Sequence, residues 1–503
     1  MSWGKIYCDT NWGENKYRTA GSIINEATPD CFQFPEFVSF KDHVRSEGAT
    51  YEKMQCGIDI LLFLGRSISI TPQSPDNPTF SGILDTYTGA TAGYSTRRLT
   101  NTYTGGLIRV RRSSDDAEQD IGYDANGEDL DIFGLLDFVN ADVDVYTSDF
   151  SSTEDLSEIN GTGAAAQSVG GVDDAYKFTL SGGSGAHIAE KSSRFEYGMS
   201  YTVSLDYYIP SGQTVTGLVA PIQSGNTGST LLNVTGSWQS VSIDIVVRED
   251  GVGNSNDKKM RFYAHNGVNT TIDADGDVFY LKNIVITQTT ADGHITTWYD
   301  QTGNGNDATN STASEQPLIV DGGSIIYEGA TISRPAIDFD GVDDFLGITT
   351  GPTILPSTGD ISSFSVFSGD TSVSGYIYSN TTSADDRHGL GLQFFSGALR
   401  INGALRIGGT WSIYEEQLIT ADEQYLLSAF KSGVDLYVDG IKSTGGLNGL
   451  FTGPSNTFHI GANTNATSSL NGKLQEMIFY DSDETSNRTG IEGNIDNYFR
   501  ITS

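Results

Sequence analysis

The chain has 503 residues, room for two to four domains of about 100–200 residues, and its 29 Lys and Arg against 64 Asp and Glu give a net charge of −35. That charge argues against nucleic acid and anionic membranes as partners, and no apolar run approaches the ~20 residues of a membrane span. With 59 Gly, 12 Pro, 24 Tyr and 24 Phe, turn formers recur between short apolar runs, which predicts an all-β chain of many short strands.

Residues 1–78 differ from the rest. They hold Trp3, Trp12, all three cysteines (Cys8, Cys31, Cys56) and the apolar run Ile58–Leu64. The run Phe37–Arg45 predicts a short helix, so this module is expected to be mixed. An odd cysteine count gives no disulfide framework, and buried thiols are the expectation. The start, Met1-Ser-Trp-Gly-Lys-Ile-Tyr7, lacks an apolar signal-type stretch, so folding in a cytoplasm is expected. Ile70–Pro78 is proline-rich and reads as a stiff spacer. Such a module serves either as an attachment point or as a leader packed on the next domain.

From residue 79 the pattern is that of sandwiches. Leu107–Arg112 alternates apolar and basic residues, as a half-buried strand does. Asp115, Asp116, Glu118 and Asp120 follow beside Arg109, Arg111 and Arg112. They predict a salt-bridged turn that fixes register, with a cation or sugar-hydroxyl site as the alternative. A separate unit is expected over 146–292, with strands at Tyr201–Ile209, Gly236–Val247 and Asp275–Ile286. Its Tyr207, Tyr208 and Trp238 are candidates for stacking on sugar rings. Its Asp273, Asp275 and Asp277 are candidate ligands of a structural Ca²⁺.

The first pattern resumes over 293–503. Trp298 is expected in the core. Val434–Gly440 ends in Asp439-Gly440, a hairpin turn needing positive φ. Leu470–Tyr480 reads as a closing strand. In the tail, Ile491, Ile495 and Phe499 share one helix face, with Ser486 or Asn487 as the cap. Arg387, His388 and Trp411 are further candidates for glycan contact.

Several blocks carry a family resemblance. Leu84–Ala90, Tyr94–Leu99 and Tyr103–Gly122, continued only at Ile295-Thr-Thr-Trp-Tyr-Asp-Gln-Thr-Gly-Asn-Gly-Asn306, resemble the start of the arabinofuranosidase B catalytic domain and of phage virion proteins sharing that sandwich. Pro335–Leu346, Val434–Gly440, Phe458–Ala462 and Leu470–Tyr480 resemble the laminin-G and concanavalin A-like sandwich. The unit at 146–292 resembles the carbohydrate-binding jelly rolls found beside glycosidases. The resemblance implies a concanavalin A-like lectin β-sandwich, 79–145 and 293–503, interrupted by a jelly roll.

It also implies a phage tail fibre or tail-tip protein displayed on the virion, made in the host cytoplasm. Residues 1–78 would bind other virion proteins, the sandwiches would bind a host surface glycan, and the chain would be a homo-oligomer, in all expectation a trimer. A head fibre or capsid decoration protein is the alternative of the same class, and a glycoside hydrolase the alternative of another. The family's nucleophile strand matches His388–Gly397, where Leu390 or Gly391 stands in place of the carboxylate. No Asp or Glu lies between His388 and Ile413, so no enzymatic activity is expected. Glu476 in the closing strand is the remaining candidate for a catalytic carboxylate, and its place in the laminin-G pattern implies a sheet-face residue. The neighbouring acids of Asp343-Asp344 are expected on opposite faces of a strand.

Overall fold

The computed structural model divides into two compact units, Met1–Pro78 and Thr79–Ser503. It describes residues 5–7 and 17–19 of the first. In the second it describes 80–501 apart from 149, 151–155, 182–185, 191–194, 221–229, 248–259, 271–273, 349–353, 355–359, 371–374, 384–385, 396–397, 408–409, 431–434, 444–456 and 464–467. In the first unit, strands Lys5–Tyr7 and Tyr17–Thr19 pair antiparallel. The three cysteines and the helix expected at 37–45 lie outside the described residues.

The second unit is all-β, as its composition predicts, with antiparallel pairing throughout its strand ladders. Its organising element is the closing strand Asn471–Tyr480. It pairs with Ile337–Asp340, Ser362–Gly369 and Ala90–Ser95. The closing strand and Ser362–Gly369 carry apolar side chains on both faces because they separate two cores, whereas Ile337–Asp340 buries only Ile337 and Phe339. Met477 and Phe479 face a cluster built around Trp298, Tyr94, Phe339 and Tyr378. Ile478 and Tyr480 face a second cluster, completed by the C-terminal helix Arg488–Phe499. The period-two pleat thus turns one continuous apolar run into two opposite contacts.

That helix buries Ile491, Ile495 and Phe499, the expected stripe. Asn487 is its N-cap by position but makes no side-chain cap bond. Its Nδ2 donates instead to Glu484 Oε2 at 2.7 Å. The expected hairpin at Asp439-Gly440 is present, with φ of 49° and 75°.

The interrupted sequence blocks meet in space. Strand Gly293–Trp298 pairs with Ile108–Arg112. Asp300 then gathers the loop. Its carboxylate accepts from the backbone N–H of Gly93, Thr302 and Asn306 and from the Thr302 hydroxyl. Tyr94 donates to the Asn306 carbonyl. The block is therefore a structural knot between strands far apart in sequence. The acidic run beside it behaves as the register-fixing turn. Arg112 makes a bidentate pair with Asp115 and Arg111 binds Asp116 at 2.8 Å. Arg109 lies 3.3 Å from both Glu118 and Asp120.

Between Val143 and Gln288 the chain forms two sheets of its own. One runs, in spatial order, Gln239–Val246, Ser200–Tyr208, Val278–Gln288, Val172–Leu180 and Gly161–Val169, with Val143–Ser148 also on Val278–Gln288. The other runs Thr230–Leu232, Gly217–Ala220, Arg261–His265, His187–Glu190 and Leu156–Ile159. Their inner faces share one core that includes Tyr176, Phe178, Tyr201, Phe262 and Phe279. The unit begins and ends side by side, because Val143 lies opposite Gln288.

Candidate functional site

The outer face of the first inserted sheet follows from strand alternation. In Ser200–Tyr208 the odd residues Tyr201, Val203, Leu205 and Tyr207 are buried, and the even ones face solvent. Tyr207 and Tyr208 therefore cannot share a surface. Tyr207 is 2% exposed and belongs to the core, a correction to its expected place among the ligand-stacking rings.

Tyr208 lies outside and meets two more rings. Its centroid is 5.7 Å from that of Trp238 and 6.0 Å from that of Tyr280. Trp238 is held by its indole N–H, which donates to the Val169 carbonyl at 2.9 Å. Glycine suits the hairpin beside it: Gly170 has φ of 60°, and a Cβ there would crowd the indole at 3.3 Å. Burial raises the Tyr280 phenol above its ordinary value of 10.0, so it stays a hydroxyl. The three rings are half-buried and fixed in place before any ligand arrives.

Polar groups continue the face along the strand. Asp206 accepts from Ser240 Oγ and from Asn283 Nδ2, the latter at 2.7 Å. Asn283 has φ of 51°, at a register shift between Ser204 and Asp206. This bulge turns an extra side chain outward. Beyond it Ser204 meets Ser242 at 3.1 Å, and Thr202 donates to Asp244 at 2.8 Å. From Tyr208 to Thr202 the row spans about 20 Å at ~3.3 Å per residue. Aromatic rings at one end, then hydroxyl, amide and carboxylate groups on an open sheet, match the two halves of a sugar: its C–H face and its hydroxyl rim. Tyr280, Asp206 and Asn283 were not singled out from sequence. The alternation of Val278–Gln288 points Tyr280 outward, but the bulge at Asn283 leaves no signal in residue type.

The remaining candidates fall elsewhere. Arg387 and Trp411 lie in strands Asp386–Phe395 and Thr410–Ile419. The register sets Arg387 opposite Arg406 and Arg406 opposite Trp411, with His388 one position along, opposite Leu405. The side chains of these residues lie outside the described ones. Asp273 is also outside them. Asp275 is exposed in a turn, and the Asp277 carboxylate accepts from Val215 N at 2.8 Å.

Among the described residues one carboxylate group could hold a cation: Asp340, Asp343 and Asp344, whose oxygens lie within 4.8 Å of one another. Asp343 and Asp344 sit in the turn after strand Ile337–Asp340 rather than in a strand. The expectation of opposite faces therefore does not hold for them. Burial, and then the neighbouring carboxylates, push Asp344 up to about 7, although the Asp340 N–H that it accepts works in the other direction.

Glu476 is fully buried and engaged. Its carboxylate takes two hydrogen bonds from Arg97, at 2.7 and 3.0 Å, and one from Ser95 at 2.8 Å. Arg97 lies over the Tyr498 ring at 4.5 Å and donates to Asn494. This pair fixes the C-terminal helix to the closing strand and has no access to a substrate.

No family model and no curated protein matches the chain. Solved structures similar to it include a GH54 α-L-arabinofuranosidase soaked with a cyclic sulfate inhibitor, at TM-score 0.41 and 10% identity, covering 81% of this chain and 62% of that one. The tandem CBM22 domains of Xyn10C from Paenibacillus barcinonensis align at TM-score 0.25 and 9% identity, over 68% of this chain and 99% of that one. Domain 4 of AbnA, a GH43 arabinanase from Geobacillus stearothermophilus, in complex with arabinotriose, aligns at TM-score 0.28 and 17% identity, over 39% and 91%. The chain thus spans 62% of the length of the arabinofuranosidase it matches, and at these scores no family is defined for it.

Proposed function

We propose that this chain is a glycan-binding protein whose ligand lies along the outer face of the inserted sheet, on Tyr208, Trp238 and Tyr280 and the polar row beside them. The observation that carries the reading is the pre-set ring cluster, with centroids 5.7 and 6.0 Å apart, opening onto a row of hydroxyls and a doubly held carboxylate. Rings already locked in place lose little rotamer freedom on binding. Three carboxylates, Asp144, Asp206 and Asp244, and two ammonium groups, Lys177 and Lys282, set opposite Tyr280 and Asp206, lie on this surface, a near-balanced set that suits neutral sugars.

On the sequence resemblance we further propose that the chain is a phage virion component, a tail fibre or tail-tip protein, attached through residues 1–78 and assembled as a homotrimer. Copies of a weak site then act by avidity. The test is a glycan array on the full chain, run beside hydrolysis of the same glycans. The expected result is binding without turnover, lost in Trp238→Ala. Turnover, or binding indifferent to Trp238 and Tyr208, would overturn the reading. Light scattering of the purified chain and antibody labelling of particles test the trimer and the virion position.

A further inference from the structure

The second inserted sheet has its own outer face, of opposite character. Its registers align one residue from each of five strands in a single transverse row. Leu231 lies opposite Val219, Val219 opposite Tyr263, Tyr263 opposite His187, and His187 opposite Ile159. The alternate residues Leu232, Leu218, Phe262 and Ile188 point into the core, so this row faces out. Leu231 is 39% and Ile159 44% exposed. At the centre the His187 and Tyr263 rings stack at 4.2 Å and 21°, making a flat platform about two strands wide. Across five strands at ~4.8 Å the row spans about 20 Å.

Arg261 stands two positions from Tyr263 on the same strand, hence on the same face, about 7 Å away. It makes no ion pair or hydrogen bond with any described residue, and its buried Nε has no acceptor. This stands out in a chain with 64 acids and 29 bases, where Arg97, Arg111, Arg112, Arg334 and Arg488 all hold carboxylates. The row itself has no carboxylate, whereas the opposite face has three. A half-buried guanidinium without a described partner, beside a flat ring platform, matches a planar carboxylate carried on a sugar ring.

We infer that the outer face of the five-stranded inserted sheet is a second, separate site for a carboxylate-bearing sugar residue, its ring on the His187–Tyr263 stack and its carboxylate on Arg261. The net charge of −35 does not cancel this local match. At physiological salt, screening confines charge effects to about 8 Å. A monosaccharide carboxylate also brings far less charge than a nucleic acid backbone.

The test titrates the full chain with trigalacturonate, triglucuronate and tri-N-acetylneuraminate, with galactotriose as the neutral control. At least one acidic trisaccharide should bind and galactotriose should bind at least tenfold more weakly to this site. Arg261→Gln should weaken the acidic ligand at least tenfold and Arg261→Lys less, with neutral-glycan binding at Tyr208 and Trp238 unchanged. Thermal unfolding of each variant separates lost contact from lost fold. Failure of all three acidic probes would overturn the inference. So would loss of acidic binding in Tyr208→Ala with Arg261→Gln silent, which would move the ligand to the first face and leave the proposed function standing.

Discussion

Trp238 shows how a single side chain can be both fixed and offered. Its N–H is satisfied by the Val169 carbonyl, so the ring needs no polar partner from a ligand and presents only its surface. Trp238→Ala and Tyr208→Ala should each lower glycan affinity by about tenfold or more, roughly 1.4 kcal/mol, without loss of fold, as titration calorimetry beside circular dichroism would record. Arg97 is the opposite case, a charge wholly spent on structure. Arg97→Met leaves the Glu476 charge buried without its cation, and should cost about 3–5 kcal/mol, read by chemical denaturation followed by circular dichroism. Asp344 carries a pH signature. Its folded pKa is raised from 3.8 to about 7, so the folded state binds its proton more tightly than the unfolded state. Its contribution is therefore fully present below pH 3.8 and is lost as pH rises through 7, at up to about 1.4 kcal/mol per pH unit. Asp344→Asn should flatten that slope and raise the melting temperature at pH 8. An unchanged slope would assign it elsewhere.

At the scale of elements, legibility followed the range of the interaction. The Asp439-Gly440 turn and the Ile491/Ile495/Phe499 stripe are written within a few residues and were readable as such. Tyr207 was not, because a Tyr-Tyr pair at a strand end does not say which ring faces the core. That choice is made by the phase of the whole strand against its two partners. The cap at Asn487 was readable by position, but its side chain was taken by Glu484. The ring cluster joins residues 208, 238 and 280, and no local pattern links them. Helix Arg488–Phe499 closes the second core, so Ile495→Ala should cost about 2–5 kcal/mol. Denaturation should show it as one cooperative loss with the sheet beneath, since Ile495 shares its cluster with Phe364 and Tyr480.

At the scale of the molecule, the expected break rests on a sequence block that stops near residue 145 and resumes near 293, and close to those positions strands Val143–Ser148 and Val278–Gln288 pair, with Val143 opposite Gln288. Replacing 143–288 with a short Gly-Ser linker should therefore leave the surrounding sandwich folded, with β-type circular dichroism, cooperative unfolding and a single chromatographic peak, while neutral-glycan binding disappears. The joint is pinned on both sides. Asn140 donates to the Gly323 carbonyl, Thr289 N donates to the Ser200 carbonyl, and Ser200 N donates to the Thr290 hydroxyl.

Those paired ends also determine how the insert bears force. A domain at the end of one connector can swivel, and all tension passes through one chain. Here two connectors emerge together, so a pull on the insert divides between them and rotation is confined to one hinge line through both. Cutting a single connector would leave the insert attached but convert a hinge into a swivel.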